Sequence, residues 1–343
     1  MKKPRKDKNQ RRTMCLVILS YLLSASSVGA VTFDWAEIGN PGNSADNTGY
    51  GSVGYEYRIA TTEVTTAQYV EFLNAVAGVD THGLYSTSMT STFYNGIVRS
   101  GSGTQQNPFT YNSNAGWENR SVQYVSWYDA LRFTNWLHNN QPTGAQNANT
   151  TEYGAYDMSQ GASVVRLSGS IYGLPTEDEW YKAAYYDPLL EVYYDYATKS
   201  NTIPNTNIPT NDTGNSANWR DGAEYTLGSP YWTTEVGAYS LSASAYGTYD
   251  QTGNVFEWIE TLESDKRIGR SSAFYSSASN MSSSYRLTLT PSNEPFGVGF
   301  RVAGFNPTEE ENEGDGETVP EPASLGLVLL SVSGLVLRWA RKA

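Results

Sequence analysis

Ten residues, Tyr249 to Trp258 (Y-D-Q-T-G-N-V-F-E-W), gather the groups best suited to chemistry in this chain. Asp250 and Glu257 supply carboxylates. Gly253 allows a backbone bend that a side chain would obstruct. Val255, Phe256 and Trp258 are apolar enough to anchor the segment in a core. Hard cations such as calcium take about six to eight oxygen ligands, mixing carboxylates with backbone carbonyls. A loop of this composition offers both at short range. The same spacing is also ordinary turn chemistry, D-x-x-G-N leading into a buried strand. On these residues alone both readings stand.

Other chemistries are bounded by what the chain lacks. Its one cysteine, Cys15, lies in an apolar run near the N-terminus. If that run is removed, no disulfide, thiolate metal site or cysteine nucleophile is possible. The two histidines, His82 and His138, cannot form a three-histidine metal centre within one chain. The formal net charge is −12 over 343 residues. Residues 1–12 hold seven basic groups and one acid, and the last six residues hold three basic groups. Without these ends 13 basic residues face 34 acidic ones, a net of −21. Such a surface does not suit nucleic acid, whose phosphates need Lys and Arg, and favours cations and solubility.

The elements that must position the loop are legible from caps and periodicity. Tyr55 to Ile59 suits a short strand. Thr65-Thr66-Ala67-Gln68 is a capping box, so a helix should start there. Tyr69, Phe72, Leu73 and Val76 then form one apolar face. A second helix should begin at Ser126 with Asp129 three residues on, and place Ala130, Phe133 and Leu137 on one face. His138 falls near its C-terminal end, where a histidine gains from the helix dipole. Thr176 and Glu179 write a third box, with Trp180, Ala183 and Ala184 facing inward. Capping accounts for Glu177 and Glu179 without a catalytic role. Val164 to Leu167 and Ile171 to Leu174 suit short strands, and Gly297 to Ala303 a final buried strand. Residues 78–118, 139–163 and 195–235 are rich in Ser, Thr, Gly and Asn and read as loops, with Asn218-Trp219 a local anchor in the third. No internal repeat is evident.

The two ends read as targeting segments. A basic stretch, the apolar run Met14 to Leu23 and the small residues up to Ala30 form a secretory signal over residues 1–30, with an uncleaved anchor as the alternative. At the other end, an acidic linker (307–319) precedes Pro320-Glu321-Pro322. An apolar segment (323–337) and a basic terminus follow. That segment is a little short of the roughly 20 residues that cross a bilayer comfortably. This tail (320–343) closely resembles the PEP-CTERM sorting signal of Gram-negative bacteria. The resemblance implies a membrane-held intermediate and recognition of Pro320, Glu321 and Pro322 by an exosortase-type protease. It also implies export to the cell surface or extracellular matrix.

Five ordered segments resemble the formylglycine-generating enzyme (sulfatase-modifying factor) family. They are Tyr57 to Val76, Val125 to Leu137, Gly173 to Ala184, Tyr249 to Trp258 and Gly299 to Val302. The resemblance covers a domain at 31–306. It implies an α+β, loop-rich, elaborated C-type-lectin-like fold whose long insertions are surface loops. It also implies structural calcium on Asp250, Gly253, Val255 and Glu257, with side-chain oxygens from the two acids and carbonyls from the other two. Asn218 and Trp219 match the start of a second site, whose remaining positions fall near Gly228 and Pro230 without the expected Asp. The family's oxidases use a pair of copper-binding cysteines in the stretch equivalent to Arg270–Arg286. Here that stretch holds no Cys, and soft Cu(I) requires thiolates, so no copper is expected. The related iron-dependent sulfoxide synthases use three histidines, which this chain cannot supply.

The expected function is a non-catalytic exported binding module whose loops meet a polysaccharide or surface protein. An enzyme with relocated chemistry and a purely structural matrix scaffold are the alternatives.

Overall fold

The computed structural model describes residues 30–91 and 94–306. Residues 1–29, the linker, the Pro320-Glu321-Pro322 motif and segment 323–337 lie outside the described residues. Among the described residues, no helix is long and apolar enough to cross a membrane.

Each helix begins at its written capping box. The Thr65 hydroxyl accepts from Gln68 N while the Gln68 side chain accepts from Thr65 N, and α1 runs Thr66–Val76. Ser126 and Asp129 do the same for α2, Trp127–His138. Thr176 and Glu179 do so for α3, Glu177–Tyr185. Each box satisfies two backbone donors that a helix start would otherwise leave open. The predicted inward faces are buried, including Tyr69, Phe72, Phe133 and Trp180 at 0% exposure.

Fourteen short strands accompany them among the described residues. The first seven are β1 Trp35–Ile38, β2 Tyr57–Ala60, β3 Ile97–Ser100, β4 Thr110–Ser113, β5 Tyr172–Gly173, β6 Tyr186–Asp187 and β7 Val192–Tyr193. The others are β8 Arg220–Asp221, β9 Glu224–Tyr225, β10 Phe256–Glu263, β11 Lys266–Arg270, β12 Leu287–Leu289, β13 Val298–Phe300 and β14 Ala303–Gly304. Two four-stranded sheets, β1-β2-β14-β5 and β12-β11-β10-β13, carry the frame, and three hairpins decorate it. β10 and β13 run parallel, pairing Phe256 with Val298 and Trp258 with Phe300.

Tryptophans lock the helices to these strands, the indole N–H groups of Trp127, Trp136, Trp180, Trp219 and Trp258 each finding a carbonyl or carboxylate. Trp127 Nε1 donates to Ile259 O at 3.0 Å, and Trp258 Nε1 returns a bond to Val125 O at 2.9 Å. α2 and β10 are thereby tied in both directions. Trp219 Nε1 donates to Pro204 O, which makes the expected anchor in the 195–235 loop.

Three expectations need correction. Residues 78–118 are not simply a surface loop. They contain the β3–β4 hairpin, and Met89, Tyr94, Ile97, Tyr111 and Trp117 enter the main core. Isolated large residues among small polar ones have no period to reveal them. Val164–Leu167 forms no strand, only a single bridge between Tyr156 and Arg166. Gly297–Ala303 is two strands in different sheets, because Arg301 turns inward between them. His138 keeps the structural role expected of it, through a hydrogen bond rather than through the helix dipole. Burial lowers its pKa, and Nδ1 accepts the Ile171 N–H at 3.3 Å as a neutral ring.

Candidate binding site

The loop before β10 is built on left-handed backbone. Asp250 (φ 61°), Gly253 (φ 96°) and Asn254 (φ 62°) all have positive φ. Gly253 is required twice over. A Cβ there would lie 2.7 Å from Asn218 O and 3.1 Å from Asn218 N, both of them backbone atoms. The Asn254 N–H donates to that same Asn218 carbonyl at 2.9 Å. Ser271 and Ser272 clasp the loop from the other side. Ser272 Oγ accepts the Gly253 N–H at 2.9 Å, and the Ser271 hydroxyl stands 3.2 Å from Gly253 O.

Three buried or nearly buried carboxyls, Glu63, Asp250 and Glu257, surround one guanidinium, Arg301. Glu257 is committed. Arg301 donates to both its oxygens at 2.6 Å, and Trp180 Nε1 adds a bond at 2.7 Å. Arg301 also fastens the chain by donating to the carbonyls of Ala60, Thr61 and Tyr249. Glu63 and Asp250 are left in excess. Glu63 Oε1 accepts from Asn254 Nδ2 at 2.8 Å, while its Oε2 is buried without a donor and stands against the Asp250 carboxyl. Asp250 accepts the Gly237 N–H at 2.6 Å. Burial first, then the neighbouring acids, raises the pKa of Glu63 well above the ordinary carboxylate value. Burial raises Asp250 in the same direction. Two carboxyl oxygens facing each other bond only when a proton, or a cation, stands between them.

This geometry bears on the four positions expected to hold calcium. Among the described residues, no three His, Cys, Asp or Glu side chains converge on a metal point. Glu257, as placed, serves Arg301 and Trp180. What suits a cation in charge is the Glu63–Asp250 pair. Glu63 carries no signal in the sequence, since it lies at the end of an unremarkable I-A-T-T-E-V stretch. At the second expected site, Asn218 Oδ1 is buried without a partner. The Trp219 carbonyl, however, accepts from Thr226, and the Gly228 carbonyl from Trp232 N.

The stretch that carries cysteines in the family's oxidases does structural and surface work here. Its ends, Arg270 and Arg286, both pair with Glu177 at the start of α3, at 2.7 and 2.8 Å. Glu179 is held by Arg166 and Tyr55. Both acids are held in ion pairs at the start of α3. Between the two arginines, Phe274 and Tyr275 meet Tyr225, Trp232 and Phe296, and these five aromatic residues alone line a cavity of about 190 Å³. Phe274 is the buried floor, while Tyr225 is 38% exposed. Trp232 is held in left-handed backbone (φ 61°), an outlier for so bulky a residue. Its carbonyl accepts from Asn218 Nδ2 at 3.0 Å. Tyr275 stacks on Phe296 at 5.8 Å and donates its hydroxyl to Phe296 O. Gly297 makes room, since a Cβ there would come within 2.4 Å of the Tyr275 ring.

Tyr275 also borders a second cavity of about 320 Å³, rimmed by Arg220, Ser276, Ser277 and Asn280. A further cavity, about 590 Å³, runs along residues 40–47. In its wall, Asn43 Nδ2 donates to Gly51 O and Tyr193 Oη. Of the three expected ligand loops, 195–235 contributes Tyr225 and Trp232, whereas 78–118 sends only its larger residues into the core. Phe274, Tyr275 and Phe296 come from outside those loops.

Known proteins compare with this chain as follows. No curated protein matches it. Among solved structures it is similar to CarF, at 18% identity and a TM-score of 0.47, covering 80% of this chain and 98% of that one. Variable protein 1 of Treponema denticola is similar at 19% and 0.47, covering 81% and 97%. PvdO from Pseudomonas aeruginosa is similar at 16% and 0.43, covering 81% and 93%. The model of the sulfatase-modifying factor enzyme 1-like domain matches residues 45–304. With its α+β, loop-rich fold, the chain belongs to the sulfatase-modifying factor family.

Proposed function

We propose that this chain is a non-catalytic, exported member of its family that binds polysaccharide on the Tyr225–Trp232–Phe274–Tyr275–Phe296 platform. The observation that carries this reading is a cavity lined by aromatic rings alone, beside a rim of hydroxyl and amide groups. Aromatic faces supply large contact area to the apolar face of a sugar, while polar neighbours bond its hydroxyls. The platform is held ready by Gly297, by Asn218 and by the unusual backbone of Trp232. Preorganisation of this kind lowers the entropic cost of binding. Strained backbone at a surface aromatic is a recognised companion of ligand sites.

Export belongs to the same proposal. Its support is the sequence: the basic and apolar N-terminus, and the motif, apolar segment and basic end of the tail. An exosortase-type protease acts at Pro320-Glu321-Pro322, and the chain is membrane-held before that step. Calcium is proposed at Asp250 with Glu63, in place of the proton that otherwise joins them.

The test is affinity electrophoresis of the chain through gels containing soluble matrix polysaccharides. At least one polysaccharide should retard the wild type, and Trp232→Ala or Tyr275→Ala should migrate freely. If no polysaccharide retards the wild type, the reading fails. Elemental analysis separates an inert module from relocated enzymology, because copper or iron at one per chain would overturn the non-catalytic assignment.

A further inference from the structure

Beside the aromatic platform stands an uncommitted cation. Arg166, Arg270, Arg286 and Arg301 each face a carboxylate. Arg220 does not. Its Nε is buried without a hydrogen-bond partner, and its guanidinium faces only the Tyr225 ring, at 5.8 Å. A buried N–H without an acceptor is costly enough that native structures rarely keep one without a use. Strand pairing opposite Tyr225 and a bond from its N–H to Ser276 O at 3.0 Å hold Arg220 in place. It lines the cavity of about 320 Å³ with Ser276, Ser277 and Asn280, and that volume is near the lower end of the roughly 300–1,000 Å³ of ligand pockets. Asp221 and Glu224, on the same hairpin, do not line it.

Resting on the polysaccharide reading above, we infer that the two cavities are adjoining subsites for an acidic polysaccharide. One sugar lies on the aromatic platform, and the anionic group of the next is held by Arg220. Tyr275, which lines both cavities, is the wall they share. The formal net charge of −12 makes the long-range field repel a polyanion. Selection must therefore come from short contact, where a planar guanidinium can grip a carboxylate or sulfate with two parallel bonds. The serine hydroxyls and Asn280 suit the sugar hydroxyls around that anion.

The experiment measures binding of the full-length chain, purified in detergent, to four probes: hexagalacturonate, its fully methyl-esterified form, dextran sulfate and neutral dextran. An anionic probe should bind about tenfold or more tighter than its neutral counterpart, the scale of a charge-assisted hydrogen bond. Whether hexagalacturonate or dextran sulfate shows the larger ratio tells carboxylate from sulfate. Arg220→Ala should bring that ratio to about one. Arg220→Lys should keep part of it, which separates lost charge from lost fold. Trp232→Ala should weaken every probe. Equal binding of anionic and neutral probes, or an unchanged ratio in Arg220→Ala, overturns this inference and leaves the polysaccharide reading standing. Binding to no probe overturns both.

Discussion

Glu63→Gln should make this protein more stable at neutral pH, although it alters a fully buried residue. Three carboxyls, Glu63, Asp250 and Glu257, face the single cation Arg301, and Glu257 consumes it. The folded state therefore holds a proton on the Glu63–Asp250 pair that the unfolded chain has released by pH 5–6. Both pKa values are raised in the fold, with burial as the first cause. The sign follows. The pair's contribution is fully present below the unfolded carboxylate values near 4 and is lost as pH rises toward the folded values. Each retained proton steepens the loss by about 1.4 kcal/mol per pH unit, so two units cost roughly 3 kcal/mol. Glutamine imitates the protonated acid. Its oxygen can still accept from Asn254 Nδ2, and its amide can donate to Asp250. Urea unfolding from pH 4 to 8 in chelator should show the wild type falling more steeply than the variant, by roughly 3 kcal/mol over the range, with the curves meeting near pH 4. Calcium at pH 8 should restore the wild type by up to about 2.7 kcal/mol at a hundredfold excess over its dissociation constant, and the variant by far less. Parallel pH curves would refute the shared proton. Equal calcium stabilisation of both proteins would refute calcium at this pair.

Other substitutions test other parts of the account. Gly253→Ala meets Asn218 O at 2.7 Å on a backbone of φ 96°, so urea denaturation should show a loss of about 1–3 kcal/mol. Glu257→Gln strands the buried Arg301 and should lower stability by about 3–5 kcal/mol in the same assay. Asp129, whose pKa burial pushes up to about 7, loses its contribution as pH rises from 4 through 7. Asp129→Asn should remove about 4 kcal/mol of that slope, measured by unfolding across the range. Gly297→Ala drives a Cβ to within 2.4 Å of the Tyr275 ring. It should abolish polysaccharide retardation while the melting temperature falls by only a few degrees.

The local features of this fold were legible because they are written within a few residues. All three capping boxes and their apolar faces appear where the spacing placed them, and Gly253 is needed for the reason its bend suggested. Long-range partners were not. Nothing in a Ser-Ser pair says that Ser271 and Ser272 will clasp a loop some twenty residues earlier. Nothing at Glu63 announces a partner at Asp250, across almost the whole domain. The aromatic platform was half visible, since Tyr225 and Trp232 lie in a loop marked for ligands, but its floor comes from Phe274 in the segment read only for missing cysteines. A carboxylate at the spacing of a calcium ligand was legible as a carboxylate. That Arg301 would claim it depended on how β13 ends, which no short-range signal fixes.

The buried acids and the surface platform are joined by one residue. Asn254 donates to Glu63 Oε1, and its own carbonyl oxygen Oδ1 is shared by Asn218 Nδ2 and the Thr234 N–H. Asn218 Nδ2 reaches on to the Trp232 carbonyl, and the Phe274 N–H donates to the Asn254 backbone carbonyl at 2.8 Å. A single asparagine in left-handed backbone, which its short side chain tolerates better than most, thus fixes both the wall and the floor of the platform. The loop can keep this task whether or not the segment beside it carries cysteines, because none of these bonds uses a residue that redox chemistry would need. The positioning frame is complete in a segment that holds no cysteine. On that frame the five aromatic rings of the platform are held in place.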